Sequence, residues 1–158
     1  MEADPEFVIG QMRLQTTEPF LYFRVGSETS RAEADATLDA LMAELDEARA
    51  GSDASTEGPV VLIARFGDEG LYLEAGHRIG PEAASCETAR VRLVEGRRCA
   101  SLLYWGSLEH YAKAHEALVL GMRQAGLTGA GELREWYLQF EGDSSPDNVM
   151  LLQYVLAE

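Results

Sequence analysis

The feature that most constrains how this chain can fold is an internal repetition with a period close to eighty residues. Val91-Arg92-Leu93 repeats the pattern of Met12-Arg13-Leu14 79 residues later, and Trp105-Gly106-Ser107 repeats that of Val25-Gly26-Ser27 80 residues later. The correspondence runs on into Tyr111-Ala112-Lys113-Ala114, opposite Arg31-Ala32-Glu33-Ala34, and Phe140 falls opposite Phe66 at a separation of 74. A chain that repeats its order of elements at a nearly constant interval is built from two copies of one supersecondary unit.

Each copy reads strand, strand, helix, strand, strand. In the first, residues 7–14 and 20–25 have strand composition, with Thr16-Thr17-Glu18-Pro19 as the turn between them. Ser30 and Glu33 have the spacing of a capping box, and Ala34, Leu38, Leu41, Met42, Leu45 and Ala48 recur along one helical face. A breaker-rich loop over 51–59 leads to strands at 60–66 and 71–75, joined as a hairpin through Gly67-Asp68-Glu69-Gly70. Residues 76–85 have the composition of a connector. The second copy places strands at 88–94 and 100–105, then a helix that buries Leu108, Tyr111, His115, Leu118, Val119 and Met122 and stops at Gly126. Strands at 132–140 and 149–156 complete it.

The expected fold is α+β. Two pseudo-symmetric strand-helix-strand-strand units, about 7–80 and 86–157, form an antiparallel sheet with helices on one face and a ligand cleft between the halves. The first repeat begins so early that a DNA-binding domain is not expected.

Charge narrows the partners. With 27 acidic against 13 basic residues, a net charge of -14, the chain has the wrong sign for phosphate backbones, so no direct nucleic-acid contact is expected. No apolar stretch is long enough to cross a membrane, and the acidic start lacks the basic and apolar regions of a secretory signal. Cys86 and Cys99 have no metal-ligand spacing and suit a reducing compartment, so a cytoplasmic location is expected. There is no His, Cys and carboxylate cluster, glycine-rich phosphate loop or nucleophile elbow, and the sequence calls for no metal or cofactor.

One strand stands apart. In Glu132-Leu133-Arg134-Glu135-Trp136-Tyr137-Leu138-Gln139-Phe140, alternation separates Glu135 and Tyr137 from Trp136, Leu138 and Phe140. With Phe140 set on Phe66, the Trp136 side matches Leu62, Ala64 and Phe66, which assigns it to the helices and leaves Glu135 and Tyr137 on the opposite, concave face. A carboxylate among apolar neighbours is costly without a partner, and this makes Glu135 a candidate site residue. Tyr22, Tyr72, Tyr104, Trp105, Met150 and Tyr154 could extend an aromatic lining, since rings of this kind stack on planar cations. Tyr72 is favoured because it falls opposite Met150 across the repeat. His115 is expected in the core and His110 at the surface.

The tract from Leu103 to Val155 resembles the C-terminal half of the GyrI-like small-molecule-binding domain, the effector-binding module of multidrug-responsive transcription activators. Gly106 and Tyr111 entering the helix, the closing loop Gly126 to Gly131, the Arg134-Glu135-Trp136-Tyr137 segment and the terminal apolar strand carry the likeness. The resemblance implies two pseudo-symmetric units around a cleft, with Glu135 in the position of a ligand-engaging glutamate and Tyr137 and Tyr111 at cleft positions. It implies a stand-alone binder of amphipathic aromatic or cationic drug-like molecules, walled by Tyr111, Tyr137 and Tyr72, with Trp105, Tyr22 and Met150 as further contacts. Some stand-alone relatives are resistance factors, and some open strained cyclopropane rings of DNA-alkylating natural products. The alternative implied role is therefore a hydrolase with Glu135 as general base and Tyr137 or Tyr111 as hydrogen-bond donor. A third is an inhibitory module that binds a protein partner such as a topoisomerase.

Overall fold

The computed structural model describes residues 6–50, 59–68, 70–80 and 90–158. The expected loop over 51–58, Glu69 of the hairpin turn, residues 81–85 of the connector, Cys86, and the start of the strand expected at 88–94 lie outside the described residues. In chain order the elements are β1 (Phe7–Ile9), β2 (Arg13–Thr16), β3 (Phe20–Thr29), α1 (Ala34–Ala50), β4 (Val60–Gly67), β5 (Gly70–Ile79), β6 (Val91–Val94), β7 (Arg98–Gly106), α2 (Tyr111–Gln124), β8 (Gly129–Gln139) and β9 (Val149–Leu156). A single 3-10 turn, Leu108–His110, leads into α2. The first expected strand is broken in two at Gly10, whose N–H donates to the Leu103 carbonyl at 2.7 Å.

All pairings are antiparallel, in the order β1-β7-β9-β8-β4-β5-β3-β6, with β2 also on β7. Two units, β3-α1-β4-β5 and β7-α2-β8-β9, join through the central β4–β8 pair, which runs from Val61↔Trp136 to Arg65↔Glu132. The leading strands are exchanged between the units: β2 pairs with β7 of the second, and β6 pairs with β3 of the first.

That exchange bends the sheet. Four strands separate β7 from β3, a distance of about 24 Å in a flat sheet. Yet Thr16 in β2 and Phe20 in β3 are four residues apart, a reach of about 14 Å. The sheet therefore curls until its outer strands approach, and the two linkers meet. The Thr17 N–H donates to the Arg97 carbonyl at 2.9 Å, and the Arg97 N–H donates to Thr17 Oγ1 at 2.9 Å.

Both helices cover one face. Leu41 and Leu45 of α1 pack on Phe23, Val25, Leu62, Ala75 and Ile79. Ala114, Leu118 and Met122 of α2 pack on Ala100, Leu102, Tyr104, Met150 and Leu152. The other face, inside the curl, holds Phe20, Tyr22, Val61, Ile63 and Val94 with Trp136 against them. α2 ends in a Schellman arrangement at Gly126 (φ 70°), with the Leu127 N–H on the Met122 carbonyl at 2.8 Å and the Gly126 N–H on that of Arg123 at 3.1 Å.

This geometry reverses the face expected for Glu135. Leu62 pairs with Glu135 and Val61 with Trp136, so Glu135 and Tyr137 share the helix-covered face while Trp136 points into the curl. Traced through the β5 and β9 registers, Leu62 corresponds to Tyr137, a separation of 75 residues. The separation of 74 read from Phe66 and Phe140 is one residue short, and in a strand a one-residue slip exchanges the faces of every side chain.

A candidate ligand cleft between the helices

The site is built where the two units meet on the helix face. Tyr137 packs against the α1 core and the α2 core alike. Beside it a cavity of about 560 Å³ opens toward α1, floored by Val60 and Leu62, walled by Leu38, Met42, Leu108 and Tyr137, and rimmed by Asp35, Asp39 and Asp143. Phe140 closes one side, its ring 5.5 Å from that of Tyr137. This volume and mostly apolar lining suit a small organic molecule.

Glu135 stands next to Leu62 across the β4–β8 pair and leans toward α2. It does not line the cavity itself. The Tyr111 hydroxyl donates to Glu135 Oε2 at 2.8 Å, and His115 Nε2 lies 3.9 Å from the same oxygen. The carboxylate side chain is 17% exposed. Burial raises its pKa to about 7, against the smaller opposing effect of the Tyr111 hydrogen bond. Burial also pushes His115 down, so near neutral pH the imidazole carries no charge to compensate the carboxylate. The Tyr111 and Tyr137 hydroxyls are raised by burial first and by the Glu135 charge second, which keeps both protonated. The result is a carboxylate titrating near neutrality, held by a neutral donor and paired with no Lys or Arg among the described residues.

Of the expected site residues, Glu135, Tyr137 and Tyr111 come together. Met150 is on the helix face but fully buried in the core under α2, with Tyr104 and Tyr111. Tyr22 is fully buried on the opposite face, where its hydroxyl donates to the Val61 carbonyl at 2.6 Å. Tyr72 also lies on that opposite face, under the Arg65 guanidinium at 5.0 Å. It borders another concavity, of about 780 Å³, at the β4–β5 hairpin. Trp105 pairs with Val8 at the outer part of the sheet and is 39% exposed, away from the cleft. Tyr22, Tyr72 and Trp105 thus stand on the face opposite Glu135, because side chains alternate along a strand and each falls on the other parity from the helix-covered residues of its strand. His115, expected in the core, is a wall of the site beside Tyr111, with ring centroids 4.8 Å apart. His110 instead stacks on Phe7 and meets Glu6 at 2.9 Å. Asp35, Asp39 and Asp143 were not legible as site residues, because two read as the solvated side of a helix and the third as a turn.

No family model and no curated protein matches this sequence. Solved structures match across nearly its whole length. The C-terminal domain of EcmrR superimposes with a TM-score of 0.65 at 11% identity, over 94% of this chain and 98% of that one. SAV2435, solved bound to tetraphenylphosphonium, gives 0.63 at 11% identity, over 93% and 94%. A hydrolase encoded by lin2189 from Listeria innocua gives 0.57 at 12% identity, over 93% and 92%. The chain thus shares the fold of these structures, the α+β arrangement of duplicated units expected from its resemblance to GyrI-like domains. Among the described residues no helix is long and apolar enough to cross a membrane, and no cluster of His, Cys, Asp and Glu could hold a metal ion.

Proposed function

We propose that this protein binds amphipathic aromatic cations in the cleft between α1 and α2. The observation that carries the reading is Glu135: a mostly buried carboxylate with a hydroxyl donor but no Lys or Arg partner among the described residues, beside an apolar cavity with three acidic residues at its rim. The aromatic body would occupy the cavity against Leu38, Met42 and Tyr137, while the cationic centre reaches past Tyr137 to the carboxylate. The tyrosine rings add cation–π attraction. That SAV2435, of the same fold, binds tetraphenylphosphonium supports the charge and shape of such a ligand. Titration calorimetry with tetraphenylphosphonium tests it: wild type should bind, and Glu135→Gln should bind about tenfold or more weakly, the loss expected for one buried charged contact. Equal affinity in both proteins would remove Glu135 from the site.

A second reading is a hydrolase. A carboxylate titrating near 7 is tuned for general-base work at neutral pH, and Tyr111 is a protonated donor 2.8 Å away. Glu135 would take a proton from water as its oxygen attacks a ring carbon of a strained cyclopropane conjugated to a carbonyl; the ring C–C bond breaks, its electron pair moves onto the carbonyl oxygen, and that oxygen takes up a proton, so that water is added overall. Mass spectrometry of a cyclopropane-bearing alkylator after incubation separates the two readings: ring-opened product formed by wild type and not by Glu135→Gln is catalysis, and unchanged bound alkylator is capture.

A further inference from the structure

Inside the curl, on the face opposite the cleft, three arginines converge on one carboxylate. Glu74 is 1% exposed, and Arg24 Nε, Arg65 Nη2 and Arg92 Nε lie 3.0, 2.9 and 2.9 Å from its oxygens. The arginines come from three different strands, β3, β4 and β6, and the third is there only because of the strand exchange. Next to them Arg134, 2% exposed, is held by Glu132 at 2.7 Å and by the Glu95 carbonyl at 3.1 Å. Four guanidiniums thus face two buried or half-buried carboxylates, in a chain whose net charge is -14.

A structural ion pair needs one guanidinium. Each further one adds like-charge repulsion and desolvation, so three on one buried carboxylate leave a local positive excess that folding alone does not require. The sheet is shaped to keep them there. At Gly26 a Cβ would lie 2.4 Å from Tyr72 Oη and 3.1 Å from Glu74 Cγ, and at Gly76 one would lie 2.6 Å from Tyr22 Cε1. Glycine at both positions lets Tyr72, Glu74 and Tyr22 lie flat across neighbouring strands. Tyr72 then supports Arg65 at 5.0 Å and Tyr22 supports Arg92 at 5.7 Å. The Arg24, Arg65 and Arg92 side chains remain 30%, 45% and 29% exposed, so solvent reaches the array.

We propose that Arg24, Arg65 and Arg92, fixed by Glu74, form a second binding site, for a compact oxyanion carrying two negative charges. Glu74 orients the guanidiniums, and their outward N–H groups take the anion's oxygens in the forked geometry suited to carboxylate and phosphoryl groups. The overall negative charge does not prevent this. Screening at physiological salt limits the field of distant charges to about 8 Å, and at contact the local guanidiniums dominate. The site lies on the opposite face of the sheet from the cleft and stands whether or not the cleft reading holds.

The test is titration of the full chain with inorganic phosphate and, separately, with succinate, against sodium chloride at matched ionic strength. The readouts are backbone amide shifts over β3 to β5 and the thermal midpoint. Saturable shifts around Glu74 and a raised midpoint with phosphate, succinate or both, but not chloride, are expected, and the responding probe separates a phosphoryl from a dicarboxylate ligand. Arg24→Gln with Arg65→Gln should weaken the response about tenfold or more, and Glu135→Gln should leave it unchanged. A response no different from chloride, or one that survives the double substitution, would overturn the proposal.

Discussion

The Tyr111 hydroxyl donates to Glu135 Oε2 at 2.8 Å, linking the first residue of α2 to the middle of β8 across the face where the two repeats join. Tyr111 starts the helix from a 3-10 turn, so its ring is aimed at the sheet rather than along the surface. The pair sets both the charge state and the orientation of this carboxylate.

Glu135 makes stability depend on pH in a defined direction. Its pKa rises from 4.5 to about 7 on folding, so between these values the folded state binds more protons than the unfolded, and stability falls as pH rises. The shift corresponds to about 3 kcal/mol lost by pH 8 relative to pH 4. Urea denaturation across this range should show the decline in wild type. Glu135→Gln should be flatter and more stable than wild type above neutrality.

Cation binding should move the opposite way with pH. Only the ionised carboxylate attracts a cation, so affinity for tetraphenylphosphonium rises through about pH 7 and levels above it. Bound cation also favours the ionised form, which draws the apparent midpoint below that of the free protein. In Glu135→Gln the profile should be flat.

Tyr111→Phe removes the donor that favours the ionised carboxylate. The midpoint of the binding profile should move to higher pH, and the protein should lose about 1–3 kcal/mol above neutrality, where a charged acceptor is left unsatisfied. At pH 5, with the carboxyl protonated, the loss should be smaller. A loss independent of pH would mean that Tyr111 acts only by packing.

Gly76→Ala tests the packing inside the curl without touching the cleft. An added Cβ would lie 2.2 Å from the Phe23 carbonyl oxygen as well as against Tyr22, and both are held by the β3–β5 pairing. Overpacking of this kind costs about 1–3 kcal/mol or more, read as a lower urea midpoint. Tetraphenylphosphonium affinity measured under folded conditions should be unchanged.

Much of this was legible in the residues. The element order, the duplication and the shared strand face of Glu135 and Tyr137 follow from pattern and turn chemistry, because these signals are local, while the place of Tyr111 beside them comes from the resemblance to GyrI-like domains. Face assignment was not, because period two leaves no margin: a separation of 74 instead of 75 sent Glu135 to the wrong side, and Tyr72 was matched to Met150 although Ala75 is its counterpart. The strand exchange is invisible in sequence, since it concerns which copy a strand pairs with. The arginine array did leave a trace: Phe23-Arg24-Val25, Ala64-Arg65-Phe66 and Val91-Arg92-Leu93 each place a lone arginine in an apolar strand, and Leu73-Glu74-Ala75 places a lone glutamate in another. Four isolated charges of complementary sign in strands of one sheet are a signal for a buried ionic cluster.

The most direct measurement is a crystal structure with tetraphenylphosphonium. The cation is expected between α1 and α2, with phenyl rings against Leu38, Met42 and Tyr137 and its phosphorus centre facing Glu135. A cation bound inside the curl, or at the β4–β5 hairpin, with the α1–α2 cleft empty, would contradict that placement.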